Sequence, residues 1–143
     1  IVQLERACFR SPWPRSAFVE ELTERDWANL IVAEVDGRIL GFILYWLVLD
    51  EVHLLNVAVD SQYRGLGLGR KLLRHMIDDG LARDAIAAFL EVRVSNHVAQ
   101  HLYNSEGFEY IDTRPGYYED SGEDALVLCL SFANVGKTKR SES

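Results

Sequence analysis

The sequence predicts an α/β domain built on one mixed, mostly antiparallel sheet of six to seven strands, with helices on both faces. Three observations carry this. Residues 30–59 hold three apolar, β-branched runs separated only by short turn signals, as hairpin-linked strands are. Residues 56–71, N-V-A-V-D-S-Q-Y-R-G-L-G-L-G-R-K, pass from a β-branched run through a glycine turn into an amphipathic pattern without a break. Helical and strand periods then alternate to residue 132. At 143 residues and 48% hydrophobic, the chain is long enough for one core. We read 1–133 as the domain and 134–143 as a polar, disordered tail.

Residues 1–9 have the pattern of the last turns of a helix, with Val2, Leu4, Ala7 and Cys8 on its apolar side. Because the chain begins inside that pattern, the native N-terminus is expected to be missing. Pro12 and Pro14 interrupt it, and a second helix is expected over 14–23 with Phe18, Val19 and Leu22 buried. Strands follow at 30–35, 38–49 and 52–59. Asp36-Gly37, two positions that favour positive φ, joins the first pair, and Asp50-Glu51 the second. The helix after the glycine turn shows Leu68, Leu72, Leu73, Met76 and Ile77 on one side, against Arg70, Lys71, Arg74 and Asp78 on the other. Gly80 lies near its end, and residues 82–84 close it. A strand at 87–94 leads to Ser95-Asn96, which caps a helix over 97–105 that Gly107 stops. Strands at 108–113 and 125–132 flank a loop at 115–124.

Several function classes are disfavoured by the composition. No run approaches about 18 uninterrupted apolar residues, so no membrane span is expected. A formal charge of −7 disfavours a nucleic-acid surface and permits a basic peptide partner. Cys8 and Cys129 lie far apart without metal-type spacing, which reads as structural thiols in a reducing cytoplasm. The four histidines have no companions at ligand spacing, so no metal is expected. We expect a monomer or weak dimer.

The glycine turn carries the first chemical signal. Strand, glycine turn and helix together aim unpaired backbone N–H groups at whatever lies at the helix start, and the helix dipole favours an anion there, phosphate above all. No Gly-Lys-Ser/Thr follows, and G-x-G-x-G is not the G-x-G-x-x-G of dinucleotide folds. Taken alone, the turn also fits a plain tight connection between strand and helix.

Three motifs fall in order: Arg64-x-x-Gly67-x-Gly69, the run L-E-V-R-V-S-N at 90–96, and Asn96-x-x-Ala99-x-x-Leu102-Tyr103-x-x-x-Gly107-Phe108. Together they resemble the GNAT superfamily, the acetyl-CoA-dependent N-acetyltransferases, over essentially the whole chain to about residue 132. Within it, Phe9, Pro12-Trp13, L-D-E-V-H-L-L-N-V-A-V at 49–59, L-E-V-R-V-S-N and Y-Y-E-D-S-G-E-D-A at 117–125 are similar to the RimI-type N-terminal alanine acetyltransferases of ribosomal protein S18. The archaeal and eukaryotic N-terminal acetyltransferase subunits share the last two. The resemblance implies a GNAT fold, with the sheet splayed at the cofactor. It implies acetyl-CoA as co-substrate, with backbone groups of Gly65, Leu66, Gly67, Leu68, Gly69 and Arg70 around its pyrophosphate. Val57, Ala58 and Val59 would hold its pantetheine arm like an added strand. Gln62-x-x-Gly65-x-Gly67 fits the same pattern, but counting from the strand end puts Arg64 first. Gly67 and Gly69 are then glycines because a Cβ would obstruct the phosphates. Asn96 matches a cofactor contact and equally fits a simple helix cap.

Acetyl transfer requires a neutral amine. An α-amine, with pKa about 7.7–8.0, loses its proton near neutrality for roughly 1 kcal/mol, against roughly 4–5 for lysine. A moderate base therefore suffices for an N-terminus. Glu91, in an apolar strand whose burial would raise its pKa, matches the family's base, and an ion pair with Arg93 is the alternative. Tyr103 matches the general acid that protonates the leaving thiolate, or is a core tyrosine beside Leu102 and Phe108, or both. The backbone N–H of Val59 is the oxyanion donor that family position implies. Phe9, Trp13, Tyr117 and Tyr118 are candidate walls of a slot for a small first side chain, and Glu51 a candidate contact for the incoming amine. Trp13 after a proline also fits a plain loop anchor.

Three rivals stand beside the N-terminal reading. The first is a GNAT enzyme acting on lysine side chains, amino acids or small amines. The others are a CoA-binding module that has lost catalysis, whose sign would be loss of Glu91 or Tyr103, and a structural subunit of a larger acetylation complex.

Overall fold

The computed structural model describes residues 28–133. The helices expected at 1–9 and 14–23, with Cys8, Phe9 and Trp13, and the tail at 134–143 lie outside the described residues. Asp36 and Gly37 have the positive φ values, 51° and 80°, that their turn requires. They join β1 (Ala28–Val35) to β2 (Arg38–Val48), which returns antiparallel. The next turn is one residue earlier than expected. Leu49, 93% exposed, takes the left-handed region at φ 55°, and Glu51 already opens β3 (Glu51–Val59).

The 3-10 turn Ser61–Tyr63 and the glycines lead into α1 (Leu68–Ala82). Beyond it come β4 (Ala87–Arg93), α2 (His97–Ser105), β5 (Glu109–Arg114) and β6 (Ala125–Ser131). The sheet has six strands in the order β1-β2-β3-β4-β6-β5, and only β3 and β4 run parallel.

Both described helices cover the same face. Leu72, Leu73, Met76 and Ile77 of α1 join Tyr103 of α2, with Leu90, Phe108 and Leu128, in one continuous core. Arg70 ties the helices together, donating from Nη1 to Ser105 Oγ at 2.8 Å and to Glu106 Oε1 at 2.9 Å. Phe42 and Leu44 are buried outside that core, alternating with Ile43 and Tyr45, which belong to it. Buried Tyr45 places its hydroxyl on Asp79, which Arg83 also holds. No helix among the described residues is long and apolar enough to cross a membrane.

Gly80 lies inside α1, near its end, and the helix closes within residues 82–84 as expected. The helix closes at Arg83, whose N–H reaches the Asp79 and Gly80 carbonyls, and Asp84 follows at φ 62°. A glycine inside a helix costs about 1 kcal/mol relative to alanine, and here close packing requires it. A Cβ would lie 2.8 Å from both Val52 Cγ2 and Phe132 Cε2. Gly80→Val is expected to destabilise the fold by about 2–3 kcal/mol through overpacking, as read by denaturant unfolding; an unchanged midpoint would contradict this packing.

Candidate active site

Two local features open the sheet. Leu44 pairs with Asn56 and Tyr45 with Leu54, so Leu55 is an extra, bulged residue on β3. Such a bulge bends its strand and interrupts the ladder. The parallel pairing of β3 with β4 accordingly has three rows, Glu51 with Ala87, Val52 with Ala88 and His53 with Phe89, and then stops. Beyond His53, β3 and β4 are no longer paired, and the two strands part. The resulting cleft holds about 480 Å³. Its walls are residues 54–57 of β3, Glu91 to Arg93 of β4, the start and inner side of α2, and residues 117–120 of the β5–β6 loop.

The glycine turn follows directly on β3. Asp60 accepts from the Gln62 N–H at 3.0 Å and pairs with Arg38 at 3.2 Å; the Gln62 bond above all holds its carboxyl below the usual range. Arg64 Nε donates to the Val59 carbonyl at 3.3 Å. Gly65 and Gly67 both have φ of 80°, with nothing within 4 Å of where a Cβ would stand. Within the protein itself, backbone conformation is therefore what demands glycine there. At Gly69 a Cβ would make ordinary contact with Leu102 and Val59, at 3.7 and 3.8 Å.

Gly67 begins α1 without a side-chain cap, and the first helical bond runs from the Lys71 N–H to the Gly67 carbonyl at 3.1 Å. The N–H groups of Leu68, Gly69 and Arg70 thus have no helical acceptor. No acidic residue occupies that first turn. With the Arg70 side chain committed to α2, the cradle is made of backbone. Leu66 is an exposed apolar residue beside it.

Glu91 faces the cleft from β4, 29% exposed, with Arg114 Nη2 at 3.7 Å. Two expectations are corrected here. The apolar neighbours Leu90 and Val92 point to the opposite face of the strand, into the core, so Glu91 is only partly buried. Arg93 is not its partner. Arg93 grips Asp120 through both terminal nitrogens, each at 2.9 Å, and also donates to Ser121 Oγ at 3.0 Å.

Tyr103 reaches the cleft from α2 while 6% exposed, edge-on to Phe108 at 5.9 Å. Burial, with a lesser contribution from Tyr118, pushes its phenol well above the usual range. It therefore stays protonated, and its hydroxyl has no hydrogen-bond partner among the described residues. A core ring and a proton donor at the cleft are compatible in this one side chain. Asn96 is both a cap, accepting from the Ala99 N–H at 3.1 Å, and a cleft wall.

Val57 lines the cleft and Ala58 is buried. Val59 pairs with Gly41 at the far end of β3. The parallel rows put Glu91 level with residue 55, so Val59 is four residues beyond it, on the order of 13 Å at strand rise. By strand register the backbone at the Leu55 bulge is nearer to Glu91 than that of Val59. Glu51 is displaced the other way. It pairs with Ala87, four residues before Glu91, and its carboxylate meets His53 Nε2 at 3.0 Å. The structure does not bring Glu51 to the cleft.

Tyr117 and Tyr118 do arrive there, edge to face at 5.0 Å. Burial pushes the Tyr118 phenol up to about 12. Two arginines absent from the expected set sit beneath them: Arg93 lies 4.1 Å from the Tyr118 ring centre and Arg114 5.9 Å from that of Tyr117. The loop is further fixed by Asp124, which accepts from the Gly116 N–H at 2.9 Å, and by Glu123, which accepts from the Ser95 N–H at 3.2 Å. Glu119 and Asp120 also line the cleft. The acidic run at 119–124 was the available signal for this loop, although the partner of each carboxylate could not be read from it.

The site is a sheet opened after three parallel rows, with a glycine turn and uncapped helix start following β3 and a carboxylate and a phenol facing the opening. The chain belongs to the acetyltransferase (GNAT) family, whose model matches residues 1–108. It is 40% identical over 132 residues to the putative ribosomal protein bS18-alanine N-acetyltransferase of Bacillus subtilis (strain 168), covering 92% of this chain and 87% of that protein. The ribosomal protein bS18-alanine N-acetyltransferase of Escherichia coli (strain K12) is 38% identical over 132 residues, covering 91% of this chain and 88% of that one. The crystal structure of the Escherichia coli ribosomal-protein-S18-alanine N-acetyltransferase superposes with a TM-score of 0.84 at 35% identity, over 91% of this chain and 84% of that chain.

Proposed function

We propose that this protein transfers the acetyl group of acetyl-CoA to the α-amine of a protein's N-terminal alanine, with ribosomal protein S18 as the acceptor. The observation that carries this reading is the cleft, where β3 and β4 part and Glu91 and Tyr103 face the gap, with the glycine turn following at the end of β3. The stretch of β3 beyond its ladder with β4 suits an extended amide-bearing arm, and the N–H groups of Leu68, Gly69 and Arg70, which have no helical acceptor, suit its pyrophosphate. Acetyl-CoA supplies the activated thioester carbonyl. Glu91, directly or through one water, takes the proton from the attacking amine as the new C–N bond forms. A backbone N–H near the Leu55 bulge stabilises the oxyanion. Tyr103 gives its phenolic proton to the departing thiolate as the C–S bond breaks. Tyr117 and Tyr118 wall the first-residue slot, with Phe9 and Trp13 as further candidates. The likeness to alanine acetyltransferases supports the acceptor.

The test is a thiol-release assay with acetyl-CoA and peptides differing at residue one. Turnover should be highest on alanine and absent from the same peptide blocked at its α-amine. Equal activity on an N-blocked, lysine-containing peptide would defeat the reading.

A further inference from the structure

We infer that Arg93 is a positioning residue for acceptor binding, whose guanidinium docks the β5–β6 loop on β4 so that Tyr117 and Tyr118 stand beside Glu91. This rests on reading the cleft as the acceptor site. Arg93 and Glu91 are alternate residues of β4 and so share a face, one pleat apart. From there Arg93 engages four residues of the loop. It forms the paired fork with Asp120, at 2.9 and 2.9 Å, reaches Ser121 at 3.0 Å and lies 3.6 Å from Glu123. It also stacks on the face of Tyr118.

The sheet leaves space for this arrangement. Arg93 pairs with Ala125, and Ala125 with Arg114, so one methyl separates the two arginines across three strands. The loop folds back over that small residue. The contacts then form a chain: Arg93 holds Tyr118, Tyr118 meets Tyr117 edge-on, and Arg114 touches both Tyr117 and Glu91. The Arg93 and Asp120 side chains are 24% and 18% exposed, well short of an open surface pair. A bidentate, charge-assisted pair of this kind fixes direction as well as distance. Lysine could supply the charge but neither the fork nor the stacking plane. A simple stabilising staple would have no need of the Tyr118 face, through which the docking reaches the acceptor wall.

The experiment compares Arg93→Asp, Asp120→Arg, the double exchange and Arg93→Lys. It uses steady-state kinetics with acetyl-CoA and an alanine-initial peptide, amide hydrogen exchange of the loop, and thermal unfolding to confirm folding. Each single charge reversal should raise the peptide KM about tenfold or more, with the acetyl-CoA KM within about twofold, and speed exchange across 117–123 by about tenfold. The double exchange should recover most of both effects, and Arg93→Lys little of either. Loop exchange unchanged in Arg93→Asp would overturn the docking. A parallel rise in both KM values, or a double exchange no better than the singles, would overturn the positioning role. Failure of the wild-type protein to acetylate the peptide would instead defeat the functional reading, and the exchange arm would still judge the docking.

Discussion

Replacing Glu91 with glutamine is expected to lower kcat by about 10²-fold or more, with the KM for acetyl-CoA unchanged. Glutamine keeps the shape of the side chain and removes the lone function the reaction needs, a proton acceptor. The position tolerates the change because Glu91 is 29% exposed and its ion pair with Arg114 spans 3.7 Å. Little stability depends on a pair so placed. The α-amine of the acceptor, with pKa about 7.7–8.0, is largely protonated below neutrality. Wild-type and variant rates should therefore both climb as pH rises through that range, the variant along a lower curve. Near-wild-type turnover with acetyl-CoA binding intact would remove Glu91 from the chemistry.

Tyr103→Phe should also lower kcat by about 10²-fold, and here stability provides the control. The Tyr103 ring packs on Phe108, and its hydroxyl has no partner among the described residues. Phenylalanine keeps the ring contact and removes a hydroxyl that bonds to no described residue, a change close to neutral for folding. A large loss of turnover with an unchanged melting temperature would therefore report proton donation. The sign of the phenol's shift adds a second check. Burial raises its pKa, so Tyr103 holds its proton throughout the assayable range. The substitution should lower the plateau of the pH profile without moving an alkaline limb. If both turnover and the limb stay as in the wild type, the leaving thiolate finds its proton elsewhere.

Local signals made most of the fold legible. The Asp36-Gly37 turn, the apolar stripe of α1, and the cap and stop of α2 at Asn96 and Gly107 each depend on residues a few positions apart. The glycine turn and the helix it opens were legible for the same reason, since they are contiguous. What escaped was set by pairing across the sheet. The Leu55 bulge arises from the register of β3 against β2, and nothing in L-L-N-V marks it. Glu51 looked close to the chemistry because it precedes a site strand, although the three parallel rows leave it at the wrong end. The Arg93–Asp120 fork spans 27 residues and the Arg114–Glu91 pair crosses the sheet, so neither had a local signature. The nearest candidate partner in sequence, Arg93 for Glu91, was the wrong one.

The brevity of the β3–β4 ladder has a consequence for how such a protein can change over time. Three rows join the two portions of the sheet. On the proposed reading, the cradle and donor edge belong to the portion before Arg83, while Glu91, Tyr103 and the tyrosine loop belong to the portion after it, with Asn96 alone reaching back. The tyrosine wall of the acceptor slot is thus assigned to a different stretch of the gene from the phosphate grip, although the candidates Phe9 and Trp13 are not. Drift in residues 115–124 can retune which N-terminus is accepted while the phosphate grip stays untouched, so one inherited donor site can serve a succession of acceptors.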